Sequence, residues 1–318
     1  MLKKFLSAMM LMCVLMFGVN VDAKKIPPPV LTAEFEQMDF APLYPTYSWE
    51  PLPMTHFYQV RVIKLELAQD KIVRELMNGE ALNRVTDTTP FTQPGEYLWQ
   101  VRVVDKNQNP LSDWSAEKFF TVTAPVTFAV LGDSISHGGA AYIPAGQLSC
   151  QWETYCDVPI KNLARSGDTT QMMIDRFDND VLPFSPKVLL IMGGVNDIRG
   201  GSSGEAVIKN LTTLRDKCLA HDITPVFCTL TSMNPEIMQA RGIPITDGDW
   251  REAREKINLW IMSTPYFVDV STALTDGKGL LRFDLTPDGL HPGLRGKKIM
   301  GEILAKYLRD KFSTLIVN

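Results

Sequence analysis

The sequence predicts an α/β domain over residues 126–318, preceded by a smaller all-β domain over residues 26–124. Three observations favour this division. A chain of 318 residues is long enough for about two domains. Its first part alternates apolar and polar residues, as half-buried antiparallel strands do. Its second part contains continuous apolar runs separated by helical stretches, which is typical of a parallel sheet covered on both faces.

The composition excludes several classes of protein. Hydrophobic residues make up 45% of the chain and charged residues 21%, so a disordered or collagen-like chain is excluded. The net charge of −4 gives no basic field, and no nucleic-acid partner is expected. Outside the N-terminus no apolar run approaches the ~20 residues that span a bilayer, so no stable membrane insertion is expected.

Residues 1–23 have the pattern of a cleaved secretory signal peptide. Lys3 and Lys4 precede an apolar stretch over residues 5–18, and small residues follow at 21–23. A single N-terminal anchor helix is the alternative. Export predicts a secreted or periplasmic location, where disulfides can form. Four cysteines remain after cleavage: Cys150, Cys156, Cys218 and Cys228. They allow three pairings, and the sequence does not decide among them. Cys150–Cys156 is favoured, because both residues lie in one loop.

The all-β domain is predicted from short strands separated by turns. Residues 58–62 and 97–103 alternate strictly, and Pro- and Gly-rich turns lie between such stretches. The run 94–103, followed by residues 112–115, resembles the last two strands of fibronectin type III-like domains. This resemblance implies an immunoglobulin-like sandwich and no chemistry.

The α/β domain is expected to begin after Ala124–Pro125. Its predicted strands are the apolar runs 126–131, 187–192, 225–230 and 266–270, with a short strand at 158–160. Apolar residues at helical spacing predict helices at 206–219, at 250–262 and near the C-terminus, and the buried stripe of the last one is expected at Ile299, Ile303, Leu304, Tyr307 and Leu308.

Small and polar residues follow these strands, at the sheet edge where open parallel sheets bind ligands. Ser134 follows the first strand as a candidate nucleophile, and Asp288 stands three residues before His291. His291 can serve as general base, with Asp288 fixing its tautomer. The backbone N–H groups of Ser134 and Gly167 and the amide of Asn196 can donate to an oxyanion.

These segments resemble the SGNH/GDSL hydrolase family. Gly132-Asp133-Ser134, Gly167, the run 194–197 and the run 288–291 match its motifs in order, over about residues 126–318. The resemblance implies a flavodoxin-like three-layer α/β/α fold and a Ser/His/Asp esterase with a three-donor oxyanion hole. It implies neither a metal nor a cofactor.

Other residues near these motifs are weaker candidates. His137 stands where the family motif fixes no histidine, and residues 138–157 resemble a loop more than a helix. His137, Arg165 and Trp152 are candidates for substrate contact, with simple packing as the alternative. Residues 200–204 match G-x-S-x-G but stand too far from a strand for a nucleophile elbow, so Ser202 or Ser203 is expected to cap the next helix.

The function favoured by these observations is a secreted serine esterase that removes O-acyl groups, O-acetyl above all, from a carbohydrate. Its partner would be an acylated small molecule or polysaccharide, and the oligomeric state is open. A lysophospholipase or acyl-thioesterase is the alternative, and a non-catalytic glycan-binding protein comes third. A two-metal phosphoesterase would need more histidines than the four in this chain.

Overall fold

The computed structural model describes residues 26–53, 57–78, 82–138, 147–246 and 248–316. The predicted signal peptide lies outside the described residues. Up to residue 124, the strands are all antiparallel. They are β1 (Thr46–Ser48), β2 (Phe57–Lys64), β3 (Lys71–Asn78), β4 (Arg84–Thr86), β5 (Gly95–Val104) and β6 (Lys118–Val122).

The antiparallel strands form a four-stranded sheet in the order β3-β2-β5-β6 and a two-stranded sheet of β1 and β4. In β2 the alternation predicted from the sequence is confirmed, since Tyr58, Val60 and Val62 are buried while their neighbours are more exposed. We call residues 26–124 the N-terminal β region. Its likeness to fibronectin type III domains stays a prediction.

The second part contains one five-stranded sheet, and all of its strands are parallel. Its order is β11-β10-β9-β7-β8, which is the flavodoxin-like order 2-1-3-4-5 when the strands are counted from β7. The chain therefore reverses its direction of winding at β7, and ligands bind such sheets beyond the carboxyl ends of the strands that flank this point. The strands are β7 (Phe128–Gly132), β8 (Ile160–Asn162), β9 (Val188–Met192), β10 (Thr224–Cys228) and β11 (Phe267–Val268).

Helices connect these strands. Right-handed crossovers running in opposite directions from β7 place helices on opposite faces of the sheet. Consistent with this, α2, α4 and α6 pack in one layer, whereas α7 packs against the short 3₁₀ segment at Trp152–Tyr155. The helices are α1 (Ser134–His137), α2 (Thr170–Asp180), α3 (Val195–Arg199), α4 (Gly204–Ala220), α5 (Pro235–Ala240), α6 (Trp250–Met262) and α7 (Leu294–Phe312).

Two helices test the predicted apolar stripes. In α4 the predicted stripe is buried: Val207, Leu211, Leu214 and Cys218. In α7 the stripe is displaced by part of a turn. The helix buries Lys297, Met300, Leu304 and Leu308, while Ile299 and Ile303 are only partly buried. The prediction is confirmed for Leu304 and Leu308, and it missed Lys297 because a lysine at the buried face conceals the apolar pattern.

The N-terminal β region contacts the edge of the parallel sheet. The backbone N–H of Leu43 donates to the carbonyl of Asn162 in the edge strand β8, at 2.9 Å. The ammonium of Lys161, also in β8, donates to the carbonyl of Ala41 at 2.6 Å. Residues 41–44, which we call the junction segment, therefore cover an edge that would otherwise present unpaired backbone groups.

The favoured Cys150–Cys156 disulfide is absent, because both residues are free cysteines with buried side chains. Cys218 and Cys228 are free and buried as well, and burial raises the pKa of each of their thiols to about 12. They pack as small apolar residues in the α/β core. Among the described helices, none has the length and apolar character needed to cross a membrane.

Candidate active site

Three predicted side chains meet at the carboxyl end of the parallel sheet. Ser134 Oγ lies 2.8 Å from Nε2 of His291, and Nδ1 of the same ring lies 2.7 Å from Oδ2 of Asp288. Ser134 and His291 are partly exposed, whereas Asp288 is fully buried. The hydroxyl is therefore open to solvent at one end of the chain of hydrogen bonds, and the carboxylate is shielded at the other.

The tight turn before α7 holds Asp288 in this position. Its Oδ1 accepts hydrogen bonds from the backbone N–H groups of Leu290 at 3.0 Å and His291 at 2.8 Å. The Thr286 hydroxyl donates to the His291 carbonyl at 2.8 Å and accepts from the Gly289 N–H, which closes the turn. Burial acts to raise the pKa of Asp288, but the bonds and charge of His291, with the backbone donors, hold the pKa below its ordinary value.

The charge on Asp288 fixes the tautomer of His291. A carboxylate only accepts hydrogen bonds, so Nδ1 of the ring carries the proton that it donates to Asp288. In the neutral ring Nε2 is then an acceptor, and the Ser134 hydroxyl donates to it. This arrangement can remove the hydroxyl proton as the oxygen attacks a carbonyl carbon.

The turn that carries Ser134 is held from several sides. Asp133 caps α1 by accepting from the N–H of Ile135 at 2.9 Å. Three carbonyls of this single-turn helix accept from side chains of other elements. Lys297 Nζ donates to Ile135, Asn162 Nδ2 to Ser136 at 2.7 Å and Gln151 Nε2 to His137 at 3.2 Å. These bonds satisfy carbonyls that a short helix leaves free.

Asp133 and Asp197 brace the loops around the site. Burial raises the pKa of Asp133 to about 7, and the hydrogen bond from the Ile135 N–H partly offsets this rise. Asp197 accepts from the backbone N–H of Thr170 at 2.9 Å and from its hydroxyl at 2.6 Å, which ties the start of α2 to α3. Both carboxylates face structural donors rather than Ser134.

The three predicted oxyanion donors belong to adjoining segments. Gly167 is exposed and has a φ of 89°, a conformation that favours glycine. The amide of Asn196 donates to the Asp168 carbonyl at 2.9 Å, which leaves its second N–H for a substrate. Ser134 is the first residue of α1, where a backbone N–H has no partner within the helix. The backbone bond from Arg165 to Gly132, 3.0 Å long, joins the turn 165–168 to the end of β7.

Two of the three candidates for substrate contact lie inside the molecule. His137 is 3% exposed and has both ring nitrogens in hydrogen bonds, and Trp152 is 0% exposed beneath α1. A fully packed side chain cannot touch a surface-bound substrate, so the prediction for these two residues was wrong. Arg165 keeps 37% of its side chain exposed while it pairs with Asp168 at 2.7 Å, so it can still reach a substrate.

Sequence reasoning missed four residues that support the site. They are Thr286 in the histidine turn, Arg176 beneath Gly132, Lys297 beneath α1 and Tyr44 in the junction segment. The burial of Lys297 could have been predicted, because it stands in helical register with the apolar residues Met300, Leu304 and Leu308. Thr286 acts within its own turn, whereas Tyr44 and Arg176 act through contacts between distant segments and leave no local pattern.

The G-x-S-x-G match at residues 200–204 lies at the start of α4. Ser203 is the cap of this helix, and its side chain accepts from the N–H of Ala206 at 3.3 Å. This confirms the prediction that Ser202 or Ser203 is a cap. Within the described part of the chain, no group of three or more His, Cys, Asp and Glu side chains is placed to hold a metal ion.

A model described as the GDSL-like lipase/acylhydrolase family matches residues 130–299, more than half of the chain. The chain therefore belongs to the GDSL-like lipase/acylhydrolase family. The match contains Ser134, Gly167, Asn196, Asp288 and His291, the residues that the sequence motifs single out.

Several solved structures are similar to this chain. A GDSL-like lipase from Bacteroides thetaiotaomicron is 19% identical, with a TM-score of 0.48 over 58% of this chain and 88% of that chain. The lipase/acylhydrolase from Enterococcus faecalis is 20% identical, with a TM-score of 0.47 over 58% and 96% of the two chains. A member of the lipolytic protein G-D-S-L family from Veillonella parvula is 20% identical, with a TM-score of 0.44 over 59% and 98%. No curated protein matches the chain significantly.

Proposed function

We propose that this protein hydrolyses carboxylic esters with Ser134 as nucleophile, His291 as general base and Asp288 as the group that orients the base. The observation that carries the proposal is the pair of hydrogen bonds, 2.8 Å and 2.7 Å long, that link the three side chains in this order. Membership of the acylhydrolase family supports the same reaction class.

The reaction follows from the positions of the donors and acceptors. Ser134 Oγ attacks the ester carbonyl as its proton passes to Nε2 of His291, and Asp288 stabilises the imidazolium. The N–H groups of Ser134, Gly167 and Asn196 donate to the oxyanion. His291 then protonates the leaving alcohol, and a water activated by the same ring hydrolyses the acyl-enzyme.

The experiment that tests this function compares the wild type with Ser134→Ala on a short-chain nitrophenyl ester. The variant removes the attacking oxygen and should leave no more than background hydrolysis. A fluorophosphonate probe should label the wild type at Ser134, as peptide mass spectrometry can show. Hydrolysis that survives in pure Ser134→Ala protein would refute the assignment.

The substrate class that we propose is an O-acetylated carbohydrate. Polar groups lie on the turn 165–168 and next to Asn196: the partly exposed guanidinium of Arg165, the exposed Ser166 and the partly exposed Arg199, which donates to Asn196. Such groups suit a substrate rich in hydroxyls better than an acyl chain. The predicted signal peptide and the β region ahead of the acylhydrolase domain support work on an extracellular glycan, so we also propose export.

A lysophospholipase or acyl-thioesterase is the second candidate. Phe283 and Leu294, on either side of the histidine turn in sequence, are 79% and 49% exposed and could meet an acyl chain. The two candidates differ in product. Acetate release from acetylated polysaccharides, measured by mass spectrometry with the Ser134→Ala control, supports the first. Preference for long-chain nitrophenyl esters or acyl-thioesters over acetyl esters would support the second.

A further inference from the structure

The junction segment 41–44 reaches the turn that carries Gly167 through His137. Nε2 of His137 lies 2.8 Å from the backbone carbonyl of Tyr44, and Nδ1 lies 2.8 Å from the hydroxyl of Ser166. A carbonyl only accepts, so Nε2 carries the ring proton. Burial lowers the pKa of His137, which favours the neutral ring, and Nδ1 then accepts from Ser166. One buried imidazole thus connects Tyr44 with the residue before Gly167.

A second connection runs through the side chain of Tyr44 to the residue after Gly167. The Tyr44 hydroxyl donates to Asp180, which also accepts from Arg176 at 3.0 Å. Arg176 in turn pairs with Asp168 at 2.5 Å. Burial and the bond to Asp180 raise the pKa of Tyr44 well above its ordinary value, so its hydroxyl remains a donor.

Arg176 extends this connection to the end of the nucleophile strand. Its guanidinium donates to the carbonyl of Leu163 at 2.7 Å and to that of Gly132 at 3.3 Å. The guanidiniums of Arg165 and Arg176 lie 5.8 Å and 5.9 Å from the centre of the Tyr44 ring, within the range of cation–π attraction. Removing any one partner would leave a buried charge uncompensated and would strongly destabilise this network.

Gly167 itself has no side chain with which to fix its position. Its N–H can be placed only by the residues on either side, Ser166 and Asp168, and both are linked to Tyr44. An oxyanion donor must be held in place before the reaction, because a displacement of about 1 Å can cost as much as 100-fold in rate.

We propose that the junction segment of the N-terminal β region holds the oxyanion turn 165–168 in its active geometry, with Tyr44 and His137 as positioning residues. This inference depends on the proposed ester hydrolysis. The β region is then a part of the catalytic unit and not only a tethered module.

The test uses the full chain with two mild variants. Ser166→Ala removes the exposed hydroxyl that bonds His137, and Tyr44→Phe removes the hydroxyl that bonds Asp180. Each should lower kcat on a short-chain nitrophenyl ester by about 10-fold to 100-fold and leave KM within about twofold. KM changes little because the hydrogen bond from Gly167 stabilises the transition state much more than the bound substrate. Ser166→Thr keeps the hydroxyl and should restore kcat.

Matched controls separate positioning from general damage. Ser313→Ala and Tyr266→Phe alter exposed residues outside the site and should retain the kcat of the wild type. Circular dichroism shows whether each variant is folded. A kcat of Ser166→Ala and Tyr44→Phe equal to that of the wild type overturns the inference, as does a change in KM alone. Hydrolysis by Ser134→Ala would instead overturn the proposed function, so the two failures are distinguishable.

Discussion

At the scale of single residues, Asp288 tests whether the tautomer of His291 matters. In Asp288→Asn the side-chain amide can donate to Nδ1, so the ring can take the tautomer whose Nε2 carries the proton and cannot accept from Ser134. We expect kcat to fall by about 10⁴-fold with little change in KM. Steady-state kinetics measure this. Asp284→Asn, on the exposed side of the same region, is the control and should keep the wild-type kcat, whereas equal losses in both variants would contradict the role.

Of the three proposed oxyanion donors, Asn196 is the one whose N–H comes from a side chain. Its removal in Asn196→Ala leaves the backbone donors of Ser134 and Gly167, so catalysis should be weakened and not abolished. We expect a loss of about 100-fold in kcat. A loss confined to KM would mean that the amide binds substrate without acting on the transition state.

Lys161 gives a test of stability against pH. It is 0% exposed, and burial lowers its pKa from 10.5 to about 7. Between pH 7 and 10.5 the unfolded chain therefore binds more protons at this residue than the folded chain, so the free energy of unfolding rises with pH. Lys161→Met cannot titrate. Between pH 7 and 9 the free energy of unfolding of the wild type should rise by about 2 kcal/mol relative to that of this variant.

Urea denaturation of both proteins at the two pH values measures this difference. Other buried groups titrate in both proteins and cancel in the comparison. The loss of the bond to the Ala41 carbonyl shifts the stability of Lys161→Met by the same amount at both pH values and does not add a slope, because methionine does not titrate. The same pH dependence in both proteins would show that Lys161 titrates as an exposed lysine.

The site residues that could be identified from the sequence are those whose catalytic role requires a fixed spacing in the chain or a fixed place after a strand. Asp288 and His291 share one turn, and Ser134 directly follows a strand, so their meeting could be predicted from strand order and local chemistry. His137 and Trp152 could not be placed, because burial depends on what covers a residue. Tyr44, from a distant segment, covers His137, and its backbone carbonyl accepts a hydrogen bond from Nε2 of the ring.

At the scale of elements, α7 packs closely on the segment 152–155 at Gly301. A β-carbon at this position would lie 2.7 Å from that of Tyr155 and would clash with the carbonyl of Trp152. Gly301→Ala should therefore lower the free energy of unfolding by about 1–3 kcal/mol, although alanine is the better helix former. Chemical denaturation measures the change.

A matched substitution shows whether crowding is the cause. In Gly277→Ala the added methyl group meets no atom within 4 Å, and this variant should be nearly neutral. If Gly301→Ala were as stable as Gly277→Ala, α7 and the segment 152–155 would have room to separate. Catalysis could be affected as well, since Lys297 of α7 supports the Ser134 turn.

The elements differ in how far the sequence could predict them. Continuous apolar runs gave the positions of β7, β9 and β10, because both faces of these strands are buried and the signal is strong. The segment 148–155 could be predicted only as a loop, since short 3₁₀ turns have no extended period. The α2 helix was not predicted, because its buried face includes the polar Arg176 and Asp180.

At the scale of the whole molecule, the two regions share one continuous core of buried residues. The junction adds the bonds of Leu43, Tyr44 and Lys161 to the apolar contacts. Composition and periodicity could predict two regions, but they could not predict this junction, because its bonds join residues more than 90 positions apart. Separation of the regions would expose apolar surface and leave buried polar groups without partners.

This junction predicts that the two regions unfold together. Strand β5 lies in the N-terminal β region and strand β9 in the parallel sheet, and neither contacts the other in either sheet. If the junction couples them, their backbone amides should lose protection from hydrogen exchange at the same denaturant concentration. Exchange of the full chain, followed by mass spectrometry of peptides from both strands, measures this. Loss of protection in β5 well before β9 would show that the β region opens independently, and Tyr44 could then not hold the oxyanion turn through a stable contact.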